Sequence, residues 1–275
     1  MKVFKTKKEI VKVLNHFRHS TIGFVPTMGA LHQGHLSLMK RCRENSIRVA
    51  SIFVNPTQFN DKNDLANYPR SLESDIAMLA STGCDFVFAP TVEEMYPEED
   101  TRIFHFGMLE KVMEGAQRPG HFAGVAQIVS KLFEIVQPVK AYFGEKDFQQ
   151  LVIIRKLVDI MNYPIEIVGC PTVREADGLA MSSRNALLTA GQRKEAPVIA
   201  RTLFACKEKS KTMSLNDLKK WVIQQIDSSP ELKTEYFDIV DQNTLQTAAE
   251  YGEDALQGCI AVRAGNIRLI DNIRI

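Results

Sequence analysis

The apolar positions of this chain change period again and again, and the changes outline alternating helices and strands. Thr6-Lys7-Lys8-Glu9 has the capping-box pattern, and Ile10, Val13, Leu14 and Phe17 follow at helical spacing. Residues 22–25 form a short apolar run and residues 47–54 a β-branched one, so both read as strands. Between them, residues 35–45 predict a helix, with Leu36, Leu38, Met39 and Cys42 available for packing. A polar loop over 60–70 follows. Residues 71–81 then predict a helix with Leu72, Ile76 and Leu79 on one face, and residues 84–89 a third strand. The stretch 91–121 is irregular, with Pro97, Gly107, Gly115 and Pro119-Gly120, and a loop of that length is uncommon unless it is functional or mobile. Residues 122–136 are apolar on most sides and suit a buried helix. A fourth strand at 139–143, a helix at 148–161 and a strand at 165–168 complete the alternation.

This order predicts an α/β fold: a Rossmann-like, doubly wound parallel sheet over residues 1–172. Ligands of such sheets bind outside the carboxyl ends of the strands. The turns after Val25, Val54, Phe143 and Val168 are therefore expected to share one crevice. Past Pro171 the pattern changes to a loop at 173–178, helical stretches at 190–211 and 214–227, and short strands at 235–240, 259–262 and 267–269. That predicts a smaller C-terminal α+β domain over 173–275.

Composition narrows the function classes. The 275 residues are 45% hydrophobic and 24% charged, as in an ordinary globular protein. The net charge of +1 gives no electrostatic case for a nucleic-acid or membrane partner. No apolar run approaches the roughly 18 residues of a membrane span. The first eight residues carry no apolar signal core. Cys42, Cys84, Cys170, Cys206 and Cys259 are scattered without metal-ligand spacing, which reads as reduced thiols in a cytoplasmic protein.

The densest candidate chemistry is Pro26-Thr27-Met28-Gly29-Ala30-Leu31-His32-Gln33-Gly34-His35, at a strand-to-helix turn. Gly29-x4-Gly34 has a P-loop-like spacing, but His35 stands where that motif needs Lys and Leu36 where it needs Ser or Thr. No G-x-G-x-x-G is present. The reading is a triphosphate site that uses neutral donors and histidine, helped by the N–H groups of a helix N-terminus. Gly144-Glu145-Lys146-Asp147 adds a cation and two carboxylates, and Met181-Ser182-Ser183-Arg184 two hydroxyls and a guanidinium. Gln58 and Gln150 are neutral amides able to hold a small polar substrate. Taken singly, each has an ordinary reading. The histidines enter a helix, residues 144–147 start one, Ser182 caps one, and the glutamines lie on the surface. Glu73 and Asp75 complement a helix dipole, with a metal role as a weak alternative. Arg118 and His121 belong to a loop.

Together the segments closely resemble the pantoate–β-alanine ligase family. The resemblance rests on residues 26–35, Val54-Asn55-Pro56-Thr57-Gln58-Phe59, Tyr68-Pro69-Arg70, His121-Phe122-Ala123-Gly124-Val125, Gly144-Glu145-Lys146-Asp147-Phe148-Gln149-Gln150, Asp177-Gly178-Leu179-Ala180-Met181-Ser182-Ser183-Arg184-Asn185 and Arg268-Leu269-Ile270-Asp271-Asn272. It spans nearly the whole chain, although residues 190–256 add little. It implies a nucleotidyltransferase of the His-x-Gly-His superfamily, a C-terminal domain covering the ATP site, and a homodimer. It implies the reaction ATP + pantoate + β-alanine → AMP + pyrophosphate + pantothenate through a pantoyl adenylate, with Mg²⁺ required and no indication of its ligands. By the same resemblance Met28, Gly29, Ala30, Leu31, His32, Gln33, Gly34 and His35 line the ATP site, completed by Gly144, Glu145, Lys146, Asp147, Val173, Met181, Ser182, Ser183 and Arg184. His35 is the catalytic histidine, supported by His32, Lys146 and Arg184. Gln58 contacts pantoate and β-alanine, and Gln150 pantoate.

Two other readings stay open here. One is a related nucleotidyltransferase with a different, phosphorylated acceptor, against which the neutral Gln58 and Gln150 count. The other is a non-catalytic nucleotide-binding module, against which the intact His-x-Gly-His counts. Because an acyl adenylate hydrolyses readily, residues 181–184 are expected to close over ATP. Residues 47–54 are a candidate for part of the dimer surface.

Overall fold

Thr6 caps the first helix as its sequence predicts: its hydroxyl accepts from Glu9 N–H at 3.3 Å, and Glu9 returns a bond to Thr6 N–H at 3.3 Å. The structure, a computed structural model, describes residues 1–252 and 255–275. In chain order the elements are β1 (Lys2–Phe4), α1 (Lys7–Leu14), β2 (Ile22–Thr27), α2 (Gln33–Arg41), β3 (Ile47–Ile52), α3 (Lys62–Asn67), α4 (Leu72–Ala80) and β4 (Phe86–Phe88). Then come α5 (Val92–Met95), α6 (Met113–Gln117), α7 (His121–Val136), β5 (Lys140–Gly144), α8 (Phe148–Met161) and β6 (Glu166–Cys170). The C-terminal part holds α9 (Ala190–Glu195), α10 (Val198–Lys209), α11 (Leu215–Asp227), β7 (Lys233–Asp241), β8 (Leu256–Ala264) and β9 (Ile267–Arg274). The chain forms two compact units. The first is Met1–Phe106, Arg118–Glu145 and Gln150–Pro171, and the second is Gly107–Gln117, Lys146–Gln149 and Thr172–Ile275.

In the first unit, among the described residues, a six-stranded sheet runs β1-β4-β3-β2-β5-β6 with every pairing parallel. From β2 the chain steps outward to β3 and β4, then returns to the other side of β2 as β5. The order therefore reverses between β2 and β5, where open α/β sheets bind ligands. Thr27 and Gly144 end those two strands. Neighbouring residues of β2 serve opposite layers, as the strand period of two requires. Val25 packs with Leu38 and Met39 of α2 and Leu79 of α4, while the Phe24 ring lies 6.4 Å from that of Phe133 in α7.

Several sequence-based expectations change. β1 was not anticipated, because three residues at a sheet edge leave too short a pattern to read. The polar stretch 60–70 contains α3, capped by Asp61, whose carboxylate accepts from Asn63 N–H at 2.7 Å. Residues 91–121 hold α5, a 3₁₀ turn at Gly107–Glu110, and α6. On α4 the buried positions are Asp75 and Leu79, while Leu72 is exposed. β3 lies between β2 and β4, with Val49, Ala50 and Ser51 fully buried and Ile47, Arg48, Ile52 and Val54 half-buried. The single helical stretch over 190–211 divides into α9 and α10 at Ala196-Pro197, since proline has no N–H to continue a helix.

In the second unit β7, β8 and β9 pair antiparallel in that order. Leu203, Cys206, Leu218, Val222 and Ile226 of α10 and α11 pack against Phe237, Ile239, Ile260 and Val262 of the sheet. Two inserted segments join them by polar contacts. Arg268 of β9 holds both oxygens of Glu114 in α6, at 2.5 and 2.7 Å. The buried Gln149 accepts from Glu114 N–H at 2.9 Å and donates to the carbonyls of Leu109 and Val112 at 2.8 and 2.9 Å.

Candidate active site

The turn from β2 into α2 is held almost entirely by bonds to its own backbone N–H groups. Thr27 Oγ1 donates to Ser51 carbonyl at 2.7 Å and accepts from Gly29 N–H at 3.2 Å. Gly29 has φ +82°, and a Cβ there would sit 2.8 Å from Asp75 Oδ2, so only glycine fits. Ala30 follows at φ 49°, an unusual conformation for a residue with a side chain. Asp75, 2% exposed, accepts from Ala30 N–H at 3.0 Å and from Leu31 N–H at 2.8 Å, one with each oxygen. Hydrogen bonds to a charged group contribute roughly 1.5–3 kcal/mol each, enough to hold Ala30 in its strained conformation.

His32 is the N-cap of α2. Its Nδ1 accepts from Gly34 N–H at 3.1 Å, and His35 Nδ1 accepts from His32 N–H at 3.2 Å, a capping box made from two imidazoles. The ring centroids are 4.2 Å apart. An Nδ1 that accepts from the backbone carries no proton, so in each neutral ring the proton sits on Nε2. The N–H groups of Gly29, Ala30, Leu31, His32 and Gly34 are bonded within the protein, and of these only that of Gly34 belongs to the first turn of α2.

Gln58 lies in the 3₁₀ turn Pro56–Gln58 after β3, and it is buried rather than on the surface. Its Oε1 accepts from Asn55 Nδ2 at 3.2 Å and its Nε2 points to Met28 Sδ at 3.0 Å. Asn55 is fixed in turn: Nδ2 donates to Gly124 carbonyl at 3.0 Å, and Oδ1 accepts from Tyr96 hydroxyl at 2.7 Å. Burial raises the pKa of that hydroxyl, keeping it a donor. The Gln58 carbonyl accepts from His121 Nδ1–H at 2.8 Å, while His121 Nε2 accepts from Arg118 Nη1 at 3.3 Å. Arginine can only donate, which fixes that tautomer. His121, read from sequence as a loop residue, is the buried first residue of α7 and supports Gln58. Gly124 lets α7 come this close, since a Cβ there would lie 2.5 Å from Thr57 carbonyl.

The first unit therefore contains residues 28–35, Gln58, Gly144, Glu145 and Gln150. Of these, the structure brings Met28 together with Gln58 and His32 with His35. The second unit contains Lys146, Asp147, Val173, Met181, Ser182, Ser183 and Arg184. There, Met181 N–H donates to Val173 carbonyl at 2.9 Å, and Lys146 carbonyl accepts from Asn272 Nδ2 at 2.9 Å. Ser182 caps the 3₁₀ turn Ser183–Leu187 by accepting from Arg184 N–H at 3.3 Å. Asn185 Nδ2 ties the turn back to Glu175 at 2.6 Å and to Ala180 carbonyl at 3.1 Å. Arg193 bridges Glu175 and Asp177, each at 2.6 Å, and Arg174 holds Asp271 with two bonds at 2.6 and 2.9 Å.

Among the described residues no three of His, Cys, Asp and Glu are grouped to hold a metal ion. Sequence reasoning missed Thr27, Asp75, Tyr96 and Arg193 as holders of these turns. Asp75 and Tyr96 act on the site through partners that no local pattern reveals.

Comparison with known proteins agrees with this geometry. The family model described as pantoate-beta-alanine ligase matches residues 2–274. The chain is similar to a pantothenate synthetase of Bacteroides thetaiotaomicron, 56% identical over 100% of this chain and 99% of that protein. It is also similar to the crystal structure of pantothenate synthetase from Thermus thermophilus, at TM-score 0.94 and 45% identity with 99% of each chain covered. The pantoate-beta-alanine ligase of Francisella tularensis, solved with beta-gamma ATP and beta-alanine, aligns at TM-score 0.84 and 35% identity over 100% of this chain and 97% of that one. The chain belongs to the pantoate–β-alanine ligase family.

Proposed function

We propose that this protein condenses pantoate with β-alanine at the expense of ATP, giving pantothenate, AMP and pyrophosphate. The observation that carries this reading is the two-histidine cap beside the β2/β5 switch point, in a chain that the family model matches almost end to end. A pantoate carboxylate oxygen attacks the α-phosphorus of ATP, and the bond to the bridging oxygen breaks as pyrophosphate leaves. The neutral amine of β-alanine then attacks the acyl carbon of the adenylate. AMP leaves, and the amine loses a proton as the amide forms. Little covalent work falls to the protein, so positioning and charge stabilisation dominate.

The assigned roles follow the family motifs. Met28, Gly29, Ala30, Leu31, His32, Gln33, Gly34 and His35 bind ATP, together with Gly144, Glu145, Lys146, Asp147, Val173, Met181, Ser182, Ser183 and Arg184. His35, with His32, Lys146 and Arg184, meets the charge that develops on the phosphates. The Nε2–H tautomer set by the cap supports the histidine part. Gln58 binds pantoate and β-alanine, and Gln150 binds pantoate. Asn55 fixes the Gln58 amide with its oxygen engaged, which leaves N–H to offer a carboxylate or hydroxyl. Because the described residues offer no metal cage, Mg²⁺ is assigned no protein ligand and no step here. It would arrive as the counter-ion of the nucleotide, in keeping with its habit of binding through phosphates and water. No helix among the described residues is long and apolar enough to cross a membrane. Five buried, unpaired cysteines support a cytoplasmic setting, and a homodimer is the expected assembly.

The test is product formation. Incubation with ATP, pantoate and β-alanine should give AMP and pantothenate in equal amounts, and omitting either acid should stop pantothenate. Turnover only with a phosphorylated acceptor would contradict the reading. Protection of residues 181–184 from protease by ATP and pantoate is expected if that loop closes. Equal cleavage with and without them would remove closure from the account.

A further inference from the structure

We propose that Asp75 is a positioning residue for nucleotidyl transfer: its buried carboxylate occupies the two-N–H nest of the Gly29–Ala30 turn and so aims His32 and His35. This rests on the reading of the reaction given above. Two consecutive N–H groups beside left-handed residues form a concavity that binds anions. Here that concavity is filled by the protein's own anion, with Ala30 N–H at 3.0 Å and Leu31 N–H at 2.8 Å. A substrate phosphate is thereby denied the nest. The next N–H along the chain, that of His32, is taken by His35 Nδ1, and His32 Nδ1 takes that of Gly34. The carboxylate and the two imidazoles thus accept from the N–H groups of Ala30, Leu31, His32 and Gly34, which leaves the proton of each neutral imidazole on Nε2.

The position argues for more than support of the fold. Asp75 is 2% exposed in the first turn of α4, where an apolar residue would fill the same space without the cost of burying a carboxylate. Its oxygen also lies where a Cβ on Gly29 would go, 2.8 Å away, so the glycine and the carboxylate are matched to each other. Neither the dipole role nor the metal role considered for Asp75 from sequence explains that match.

The test compares wild type with Asp75→Ala and Asp75→Asn in pantoate-dependent exchange of labelled pyrophosphate into ATP, alongside ¹⁵N spectra of the histidines. Displacement of a reacting group by about 1 Å costs on the order of 10²-fold. Asp75→Ala should therefore lower kcat about 100-fold while the KM for ATP stays within about threefold, on that same basis. Asp75→Asn keeps one acceptor oxygen and should fall between the two. In wild type His32 and His35 should show the Nε2–H tautomer, and Asp75→Ala should mix the tautomers. Gly29→Ala should be less harmful in the Asp75→Ala background than in wild type, because the clash has gone. Exchange within threefold of wild type, unmixed tautomers, or recovery of activity on raising Mg²⁺ would each overturn the proposal, the last by making Asp75 a metal ligand. Should wild type neither exchange nor form pantothenate from ATP, pantoate and β-alanine, the reading of the reaction fails. The tautomers and the Gly29 coupling would still decide the role of Asp75.

Discussion

The turn after β2 and the loop before α9 are both held by polar contacts, built from different bonds. In the turn, buried or half-buried acceptors on Thr27, Asp75, His32 and His35 each take a backbone N–H. In the loop, bonds to Ala180 carbonyl and Arg184 N–H are joined by side-chain pairs, of which Arg193 with Glu175 and Asp177 lies nearest the surface, the three 35%, 27% and 38% exposed. Backbone-directed bonds in a dry setting fix a shape, and water and salt cannot easily replace them. Exposed ion pairs contribute roughly 0–1 kcal/mol and are screened by salt. The first arrangement suits a rigid turn and the second a segment that shifts more easily, in keeping with the nucleotide roles proposed for them.

Breaking the turn should have the largest effect. His35→Ala removes one Nε2–H donor and the acceptor for His32 N–H, and adenylate formation should fall by about 10² or more, the scale of losing a main transition-state contact. A rate within threefold of wild type would remove His35 from the mechanism. Gly124→Ala drives a Cβ into the backbone of Thr57 and should displace Gln58. It should cost about 1–3 kcal/mol in denaturant unfolding, the usual penalty of overpacking, and raise the KM for pantoate more than that for ATP.

Loosening the loop should do much less. Arg193→Ala should lower stability by at most about 1 kcal/mol yet speed proteolysis within residues 174–193, and high salt should do the same to wild type. Acid should act at the same place. Burial raises the pKa of Asp177, but the Arg193 guanidinium and the Leu179 N–H together outweigh it and hold the carboxyl below its ordinary value. A depressed carboxylate stabilises the folded state above its unfolded pKa of about 3.9 and loses that contribution as pH falls through the folded value. Pepsin should therefore cut this loop faster as pH drops below about 4, and the step should be smaller in Arg193→Ala, which keeps only the Leu179 N–H bond to Asp177. The smallest effect concerns the thiols. Burial pushes Cys42, Cys84 and Cys206 up to about 12 and Cys170 up to about 11, so none should react with an alkylating agent at mildly alkaline pH until the chain unfolds.

The same contrast explains what could be read in advance. The strands and helices of the first unit follow local periods, so the doubly wound sheet and its switch-point turn were legible. The capping box at Thr6 is local too, its partner Glu9 lying three residues on. What could not be read depends on partners distant in the chain. Asp75 looks like an ordinary first-turn acid until α4 places it against Leu31 and Ala30, 44 and 45 residues away. Residues 107–117 look like loop until Glu114 meets Arg268, 154 residues on. Gln58 looks like a surface residue and His121 like a loop residue until Gly124 lets α7, which His121 opens, close over Gln58. β1 is too short to show a period at all.

The measurement closest to the central claim is pantoate-dependent exchange of labelled pyrophosphate into ATP without β-alanine, in wild type and in His35→Ala. The account predicts rapid exchange in wild type, slowed by about 10² or more in the variant. AMP formed only when β-alanine is present, with no exchange in its absence, would contradict a free adenylate step. Equal exchange by both proteins would contradict the role given to the histidine cap.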